Sequence, residues 1–380
     1  MSGPVVLGVE RVNNPHVLPT FAALARRDDI DFTGCVIEPL PEWRAELGWS
    51  ELPEHSEMLQ PWRSERDRRT YETLTRSAEI VVWPGLKFDG SVRKLLARRM
   101  RRRISVIWAE RFIARRERSR REALLLKLAV RLANGSNVHL MEMGCGALDD
   151  FRAYGATRWR GWQFGYAVEP VELADSETLC PTGGPLRLLF VGALRRKKAL
   201  DVLLRALAAS ELPRDSWFLR VVGDGNQRQD WQELARTSRI ADRVEFVGTV
   251  GHERMPEVYR AADVLILPSS YEGWGAVVNE AMEHGLATLV SDGAGCASTL
   301  VEHGVSGFVF KSGDEDALAG HLRTLAGDRD LCQAMRHAAR NRIKNFRPDA
   351  AAERAAALFR GLSGHDAMPE YEGGWCARSN

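Results

Sequence analysis

The sequence predicts an α/β protein made of two doubly wound parallel-sheet domains. Three observations predict it. Short apolar, β-branched runs alternate with amphipathic helical stretches, the pattern of a parallel sheet with crossover helices. Glycines recur at the carboxyl ends of those runs, where backbone must come close to a ligand in such sheets. A stretch rich in breakers, 168–185, carries Pro170, Pro181, Gly183, Gly184 and Pro185 and divides the pattern in two.

At 380 residues the chain is long enough for two domains, and 44% hydrophobic with 27% charged residues describes an ordinary soluble protein. A net charge of +2 gives no overall bias toward nucleic acid, so no nucleic-acid partner is expected. No apolar run approaches a membrane span, and the N-terminus lacks a signal-peptide layout. The six cysteines are scattered, without a CxxC pair, and read as reduced thiols. A cytoplasmic location is expected.

In the first half, strands are predicted at 4–9, 31–37, 78–83 and 104–109, with a last one at 163–166. Helices are predicted at 15–27, 65–77, 91–102 and 112–132. The loop 39–61 is too long for a tight connection. No GxGxxG follows the first strand, so a nicotinamide-dinucleotide site is not supported. At the end of the fourth strand stands Trp108-Ala109-Glu110-Arg111. Glu110 reads either as a sugar or acceptor contact, or as a helix-start carboxylate complementing the dipole. Arginine then crowds the chain at Arg98, Arg99, Arg101, Arg102, Arg103, Arg115 and Arg116. The cluster is either a solvated helix face or a docking patch for an anionic acceptor or lipid headgroups, each basic group then contributing about 1 kcal/mol. It lacks the aromatic interleaving of a nucleic-acid groove.

The second half is more regular. Strands are predicted at 186–191, 217–222, 244–247, 262–270, 286–290 and 307–310. They end on Gly192, Gly223-Asp224-Gly225, Gly248, Gly273 and the turn 291–296. Lys197 and Lys198 follow Gly192 and open a helix, 198–209, with Leu200, Leu203, Leu204 and Leu207 inward. The apolar run before Tyr271 reads as a buried central strand. Glu272-Gly273-Trp274-Gly275 is the turn after it, and a helix carrying Glu280 begins near Ala276. Such a helix start offers free N–H groups and a positive dipole end to an anion. Helices at 314–327, 328–345 and 348–362 follow, then a loose tail. Asp29-Ile-Asp31 and Asp314-Glu-Asp316 fit a metal-binding DxD string, but one precedes a strand and the other starts a helix, so neither is assigned.

Glu272-Gly-Trp-Gly275 with Glu280, the run Gly192-Ala-Leu-Arg-Arg-Lys-Lys198-Ala-Leu-Asp201, Val221-Val-Gly-Asp-Gly225 and the glycine-rich turn 291–296 occur in the order found in the family-4 glycosyltransferases, which this chain resembles. The resemblance implies the GT-B fold: two Rossmann-like domains facing a central cleft, the acceptor-binding one at 1–170 and the nucleotide-sugar-binding one at 171–345. It implies a helix at 346–363 that crosses back to the first domain, and a tail at 364–380. It implies retaining transfer from a nucleotide-diphosphate sugar to an acceptor hydroxyl in polysaccharide, lipopolysaccharide or other glycoconjugate synthesis, with no cofactor and no metal. Glu280 would hold the ribose, Glu272 the transferred sugar and Lys198 the leaving diphosphate. Gly192, Lys197, Gly223, Gly225, Gly273, Trp274 and Gly275 would line the donor, and Gly8 is what remains of a glycine loop in the first domain. The chain departs from the family pattern at Ala193, where many members have Arg, and at Ala199, where Gly is usual. Many members also have a His near the position of Glu110. The implied partners are the donor, a saccharide or lipid-linked acceptor, and an anionic membrane touched peripherally at its inner face. Two alternatives stay open: a non-catalytic nucleotide-sugar-binding relative, and another GT-B enzyme such as an epimerase or phosphorylase.

Overall fold

A computed structural model describes residues 3–45, 50–86, 90–112, 119–172 and 184–369. The chain divides into two compact units, Met1–Glu169 with Phe346–Asn380, and Pro170–Asn345.

The first unit is built on six strands: β1 (Val5–Glu10), β2 (Asp31–Val36), β3 (Ile80–Pro84), β4 (Ile104–Glu110), β5 (Val138–Met143) and β6 (Arg160–Phe164). All pair in parallel, in the order β2-β1-β3-β4-β5-β6. β5 is a strand that the sequence pattern does not announce. His139 and Glu142 interrupt its apolar run, yet all six residues are buried. Glu142 is satisfied by the backbone N–H of Leu148 at 2.7 Å, which starts the next helix. Burial pushes the His139 imidazole down to about 4, so it stays neutral in the core.

The helix expected at 112–132 is shorter. It runs Arg120–Ala133 and starts on a capping box, Ser119 with Glu122. Phe112 instead sits in a loop, its N–H donated to Asp150 at 2.6 Å and its ring edge-on to Phe151. Residues 113–118 lie outside the described residues, and with them Arg115 and Arg116. The helix Pro348–Ser363 packs its alanine-rich face on the helix Leu18–Ala25. Small side chains let the two backbones approach, and Arg360 to Asp29 at 3.2 Å ties the pair at its rim. Of the expected tail, residues 370–380 lie outside the described residues.

The second unit repeats the plan with β7 (Leu186–Val191), β8 (Trp217–Val222), β9 (Val244–Gly248), β10 (Val264–Leu267), β11 (Ala287–Ser291) and β12 (Gly307–Phe310), ordered β12-β11-β10-β7-β8-β9 and all parallel. The order reverses between β7 and β10, so the loops after these strands diverge and leave a crevice at their carboxyl ends. β10 is buried at every position, because helices cover both faces of a parallel sheet. Just before it, the fully buried Asp263 accepts from Arg187 at 2.6 Å, Arg336 at 2.8 Å and Arg329 at 3.4 Å. Burial alone would raise its carboxyl, but these bonds hold it below the ordinary carboxylate range.

Candidate functional site

In the second unit, loops after β7, β8, β10 and β11 meet at the carboxyl ends of the strands. Backbone hydrogen bonds join them. Ser270 N–H donates to the Lys197 carbonyl at 2.8 Å, Glu272 N–H to Gly293 at 2.9 Å, Gly295 N–H to Glu272 at 3.1 Å and Leu194 N–H to Asp224 at 2.9 Å. The Glu272 turn is therefore fastened on both sides. Gly275 caps the helix Ala276–Glu283 with φ +103°, a conformation that L side chains rarely adopt. At Gly223 a Cβ would stand 2.1 Å from the Gly192 carbonyl oxygen, so only glycine lets these two strand ends touch.

Across this junction Lys198 and Glu272 form an ion pair, with side chains only 15% and 20% exposed. The pair leaves cationic and anionic groups side by side at the strand ends. Lys198 lies over Gly192: a Cβ there would be 3.4 Å from its Cε. The lysine reaches this place through a 3-10 turn, Arg196–Lys198, followed by Ala199 in the left-handed region at φ +49°. On the next helix Glu280 accepts from the buried Tyr259 hydroxyl at 2.5 Å. Burial first, then the Glu280 charge, raises that phenol well above its usual value, so it remains a donor. His284 stacks on Tyr259 at 4.8 Å and braces it.

A second polar cluster lies in the first unit, at the carboxyl ends of β1 and β4. A cavity of about 400 Å³ is lined there by Glu10, Arg44, Trp108, Glu110, Arg111 and Tyr166, among others. Tyr166 donates to Glu110 at 2.7 Å. Burial pushes Glu10 up to about 7, with the nearby Glu110 charge adding to it and the Arg11 backbone and Arg44 opposing. Among the described residues no group of three His, Cys, Asp or Glu is arranged to hold a metal ion.

Residues 177–342 match the family described as Glycosyl transferases group 1. Over this segment the chain is similar to that family. It is 40% identical over 170 residues to a D-inositol 3-phosphate glycosyltransferase of Nocardia farcinica, covering 43% of this chain and 37% of that protein. It is 31% identical over 164 residues to a glycogen synthase of Mycobacterium tuberculosis, covering 43% of this chain and 39% of that protein. The match thus spans under two-fifths of the length of these curated relatives. The fold extends further. Anabaena Alr3699/HepE, solved in complex with UDP, superposes with TM-score 0.67 at 18% identity over 95% of this chain and 100% of its own. A sucrose-phosphate synthase of Thermosynechococcus elongatus does so with TM-score 0.66 at 17% identity over 96% and 100%. The architecture is the GT-B fold.

Within the group 1 segment, the structure brings together Gly192, Lys197, Lys198, Gly223, Gly225, Glu272, Gly273 and Gly275 at the joined loops. Three expectations are corrected. The Trp274 side chain is not open to the surface: it is 1% exposed and donates its indole N–H to Asn279 at 2.8 Å, wedging the turn. Gly8 is no loop residue but the middle of β1, where a Cβ would strike the Phe32 ring at 2.4 Å. Arg98 belongs to no docking patch. It is 2% exposed and donates to the carbonyls of Thr75, Ala78, Glu79 and Ile104 at 2.7–3.1 Å, while burial lowers it to about 10. Arg99 is half-buried and caps the Leu132 carbonyl at 2.6 Å, whereas Arg101, Arg102 and Arg103 are exposed. Sequence reasoning missed Glu10, Tyr166 and Tyr259. The one signal for Glu10 is its position as the last residue of a strand; nothing local marks the two tyrosines.

Proposed function

We propose that this protein is a retaining, metal-independent glycosyltransferase of the cytoplasm that moves a sugar from a nucleoside-diphosphate sugar to an acceptor hydroxyl in glycoconjugate synthesis. The observation that carries the reading is the Lys198–Glu272 pair, set where four strand-end loops are joined. A diphosphate leaving group departs as an anion. An ammonium at a glycine-opened strand end, with turn amides around it, is a preorganised place for that charge. Glu272 then turns its carboxylate to the hydroxyls of the transferred sugar. Glu280, held by Tyr259, takes the ribose hydroxyls, since a carboxylate accepts two such bonds. In the transfer the bond from the anomeric carbon to the phosphate oxygen breaks and the bond to the acceptor oxygen forms on the same face. The acceptor's proton passes to the departing phosphate. The first-unit cavity, with Glu110 and Tyr166, is read as the acceptor's place.

The test is release of nucleoside diphosphate by the purified protein across UDP-, GDP- and ADP-sugars, with Glu280→Ala and Lys198→Ala alongside and EDTA added. One donor should be turned over, insensitively to EDTA, and both variants should lose the activity. Full activity in both variants would sink the site. Saturable donor binding without release, even with a saccharide acceptor panel, would favour a binding protein instead.

A further inference from the structure

A further cavity of the first unit, of about 430 Å³, opens at the carboxyl ends of β1, β2 and β3. Ligand sites span roughly 300–1,000 Å³, so its size suits one. Arg11, Pro84 and Gly85 line both this cavity and the one around Glu110, so the two adjoin. Trp62, Tyr71 and Trp83 give it aromatic walls. Trp83 stands in β3 and is 2% exposed. Trp62 follows the long loop 39–61, whose end is fastened. Leu59 N–H donates to the Gly34 carbonyl and Val36 N–H to the Leu59 carbonyl, both at 2.9 Å, which ties the loop to the edge strand β2. Gln60 N–H donates to Asp67 at 2.9 Å, and the Arg63 guanidinium lies over the Trp62 ring at 4.5 Å. On the other wall the Lys94 ammonium lies over Tyr71 at 4.2 Å.

The indole N–H groups of Trp62 and Trp83 are buried and have no hydrogen-bond partner among the described residues. A buried indole normally finds an acceptor. Trp108, on the wall of the adjoining cavity, is a third in the same state. Donors left over along two adjoining cavities point to one ligand that brings acceptors to both. Charges of both signs stand beside the rings: Arg11 pairs with Glu38 at 3.0 Å, and Glu72 lies 4.0 Å from Arg76.

We propose that this cavity is a subsite for a second, neutral sugar unit, so that the first unit binds a saccharide chain of at least two units and not a lone monosaccharide. The cavity around Glu110 takes the unit that is glycosylated, and the aromatic cavity takes the unit joined to it; this rests on the reading of the Glu110 cavity as the acceptor's place. Three physical points select a neutral sugar. A sugar ring has an apolar C–H face to lay on an aromatic wall. Its hydroxyls both accept from indole and guanidinium donors and donate to the Glu38 and Glu72 carboxylates. A phosphorylated or acidic ligand would set its charge against those carboxylates, and a purely apolar one would leave the indole N–H groups unpaired.

The test is binding of neutral sugars to the full chain without donor, followed by saturation-transfer NMR titration. The probes are maltose, cellobiose, lactose and mannobiose, each beside the methyl glycoside of its non-reducing unit. At least one disaccharide should bind about tenfold or more tightly than its monosaccharide. Trp62→Ala removes one wall and Glu72→Gln one carboxylate, and each should bring that ratio down toward one. Glu72 is half exposed on its helix, so if Trp62→Ala fails to fold, Glu72→Gln decides. Glu110→Gln should instead weaken monosaccharide and disaccharide alike. Disaccharides that bind no more tightly than their monosaccharides overturn the inference. If Glu110→Gln weakens both probes while Trp62→Ala and Glu72→Gln leave the ratio unchanged, the acceptor reading stands and the second subsite is overturned. If Glu110→Gln changes nothing while Trp62→Ala abolishes disaccharide binding, the aromatic cavity is a sugar site and the reading of the Glu110 cavity fails.

Discussion

Replacing Lys198 by methionine removes the ammonium and keeps most of the apolar stem, so the perturbation is almost purely electrostatic. Two costs follow from the geometry. The first is to stability. Glu272, 20% exposed, loses the partner that neutralises it, but it remains near enough to water to be partly solvated. That places the loss at about 1–2 kcal/mol, below the cost of stranding a fully buried charge. The second is to turnover. If the lysine faces the diphosphate as it departs, its removal withdraws one preorganised charge from the transition state, worth about 2.7–4 kcal/mol, or about 10²–10³ in rate. The rate loss should therefore exceed the stability loss, by about 0.7–3 kcal/mol. The assay is single-donor hydrolysis or transfer, with thermal melts on the same preparations. Glu272→Gln and the double variant complete a cycle, and a coupling of about 0.5–3 kcal/mol is expected for groups in contact. Lys198→Met protein that melts like wild type and turns over donor within about threefold of it would refute the reasoning.

Three further outcomes are expected. Asp263→Asn should destabilise the second unit by about 3–5 kcal/mol, since Arg336, 1% exposed, would lose its carboxylate, and a urea midpoint unchanged from wild type would contradict the network's role. Because the folded carboxyl of Asp263 lies below its unfolded value near 3.9, its contribution is present above about pH 4 and fades as pH falls further. Glu10 runs the other way: its folded value, raised to about 7, exceeds the unfolded value of about 4.3, so the stability it contributes is full at low pH and is lost as pH rises through that interval. Glu10→Gln should remove this slope and gain on wild type near pH 8 relative to about pH 5 in denaturant melts; a pH-independent difference would count against a protonated Glu10. Ala199→Gly should raise stability by up to about 1 kcal/mol, because alanine is held at φ +49°, and a lowered melting temperature would mean that glycine's extra freedom in the unfolded chain wins.

The sequence by itself determined the alternation of strands and helices, the doubly wound class and the glycine-ended strands of the second unit. These are local facts. A period of two or 3.6 and a breaker at a strand end are written within a dozen residues, and burial in a parallel sheet enforces them. It also marked Lys198, Glu272 and Glu280 as candidates, because all three stand in short, spaced motifs. Only the tertiary structure decided which charges meet. Lys198 and Glu272 are 74 residues apart and pair because β7 and β10 are neighbours in the sheet. Glu110 and Tyr166 are 56 apart and meet from two separate strand ends. Arg98 and Arg101 look alike in sequence, yet one is a buried clamp on four carbonyls and the other is exposed. β5 was hidden for the same reason: whether a His and a Glu in an apolar run are solvated or buried depends on whether distant backbone offers them partners, and only the fold supplies those.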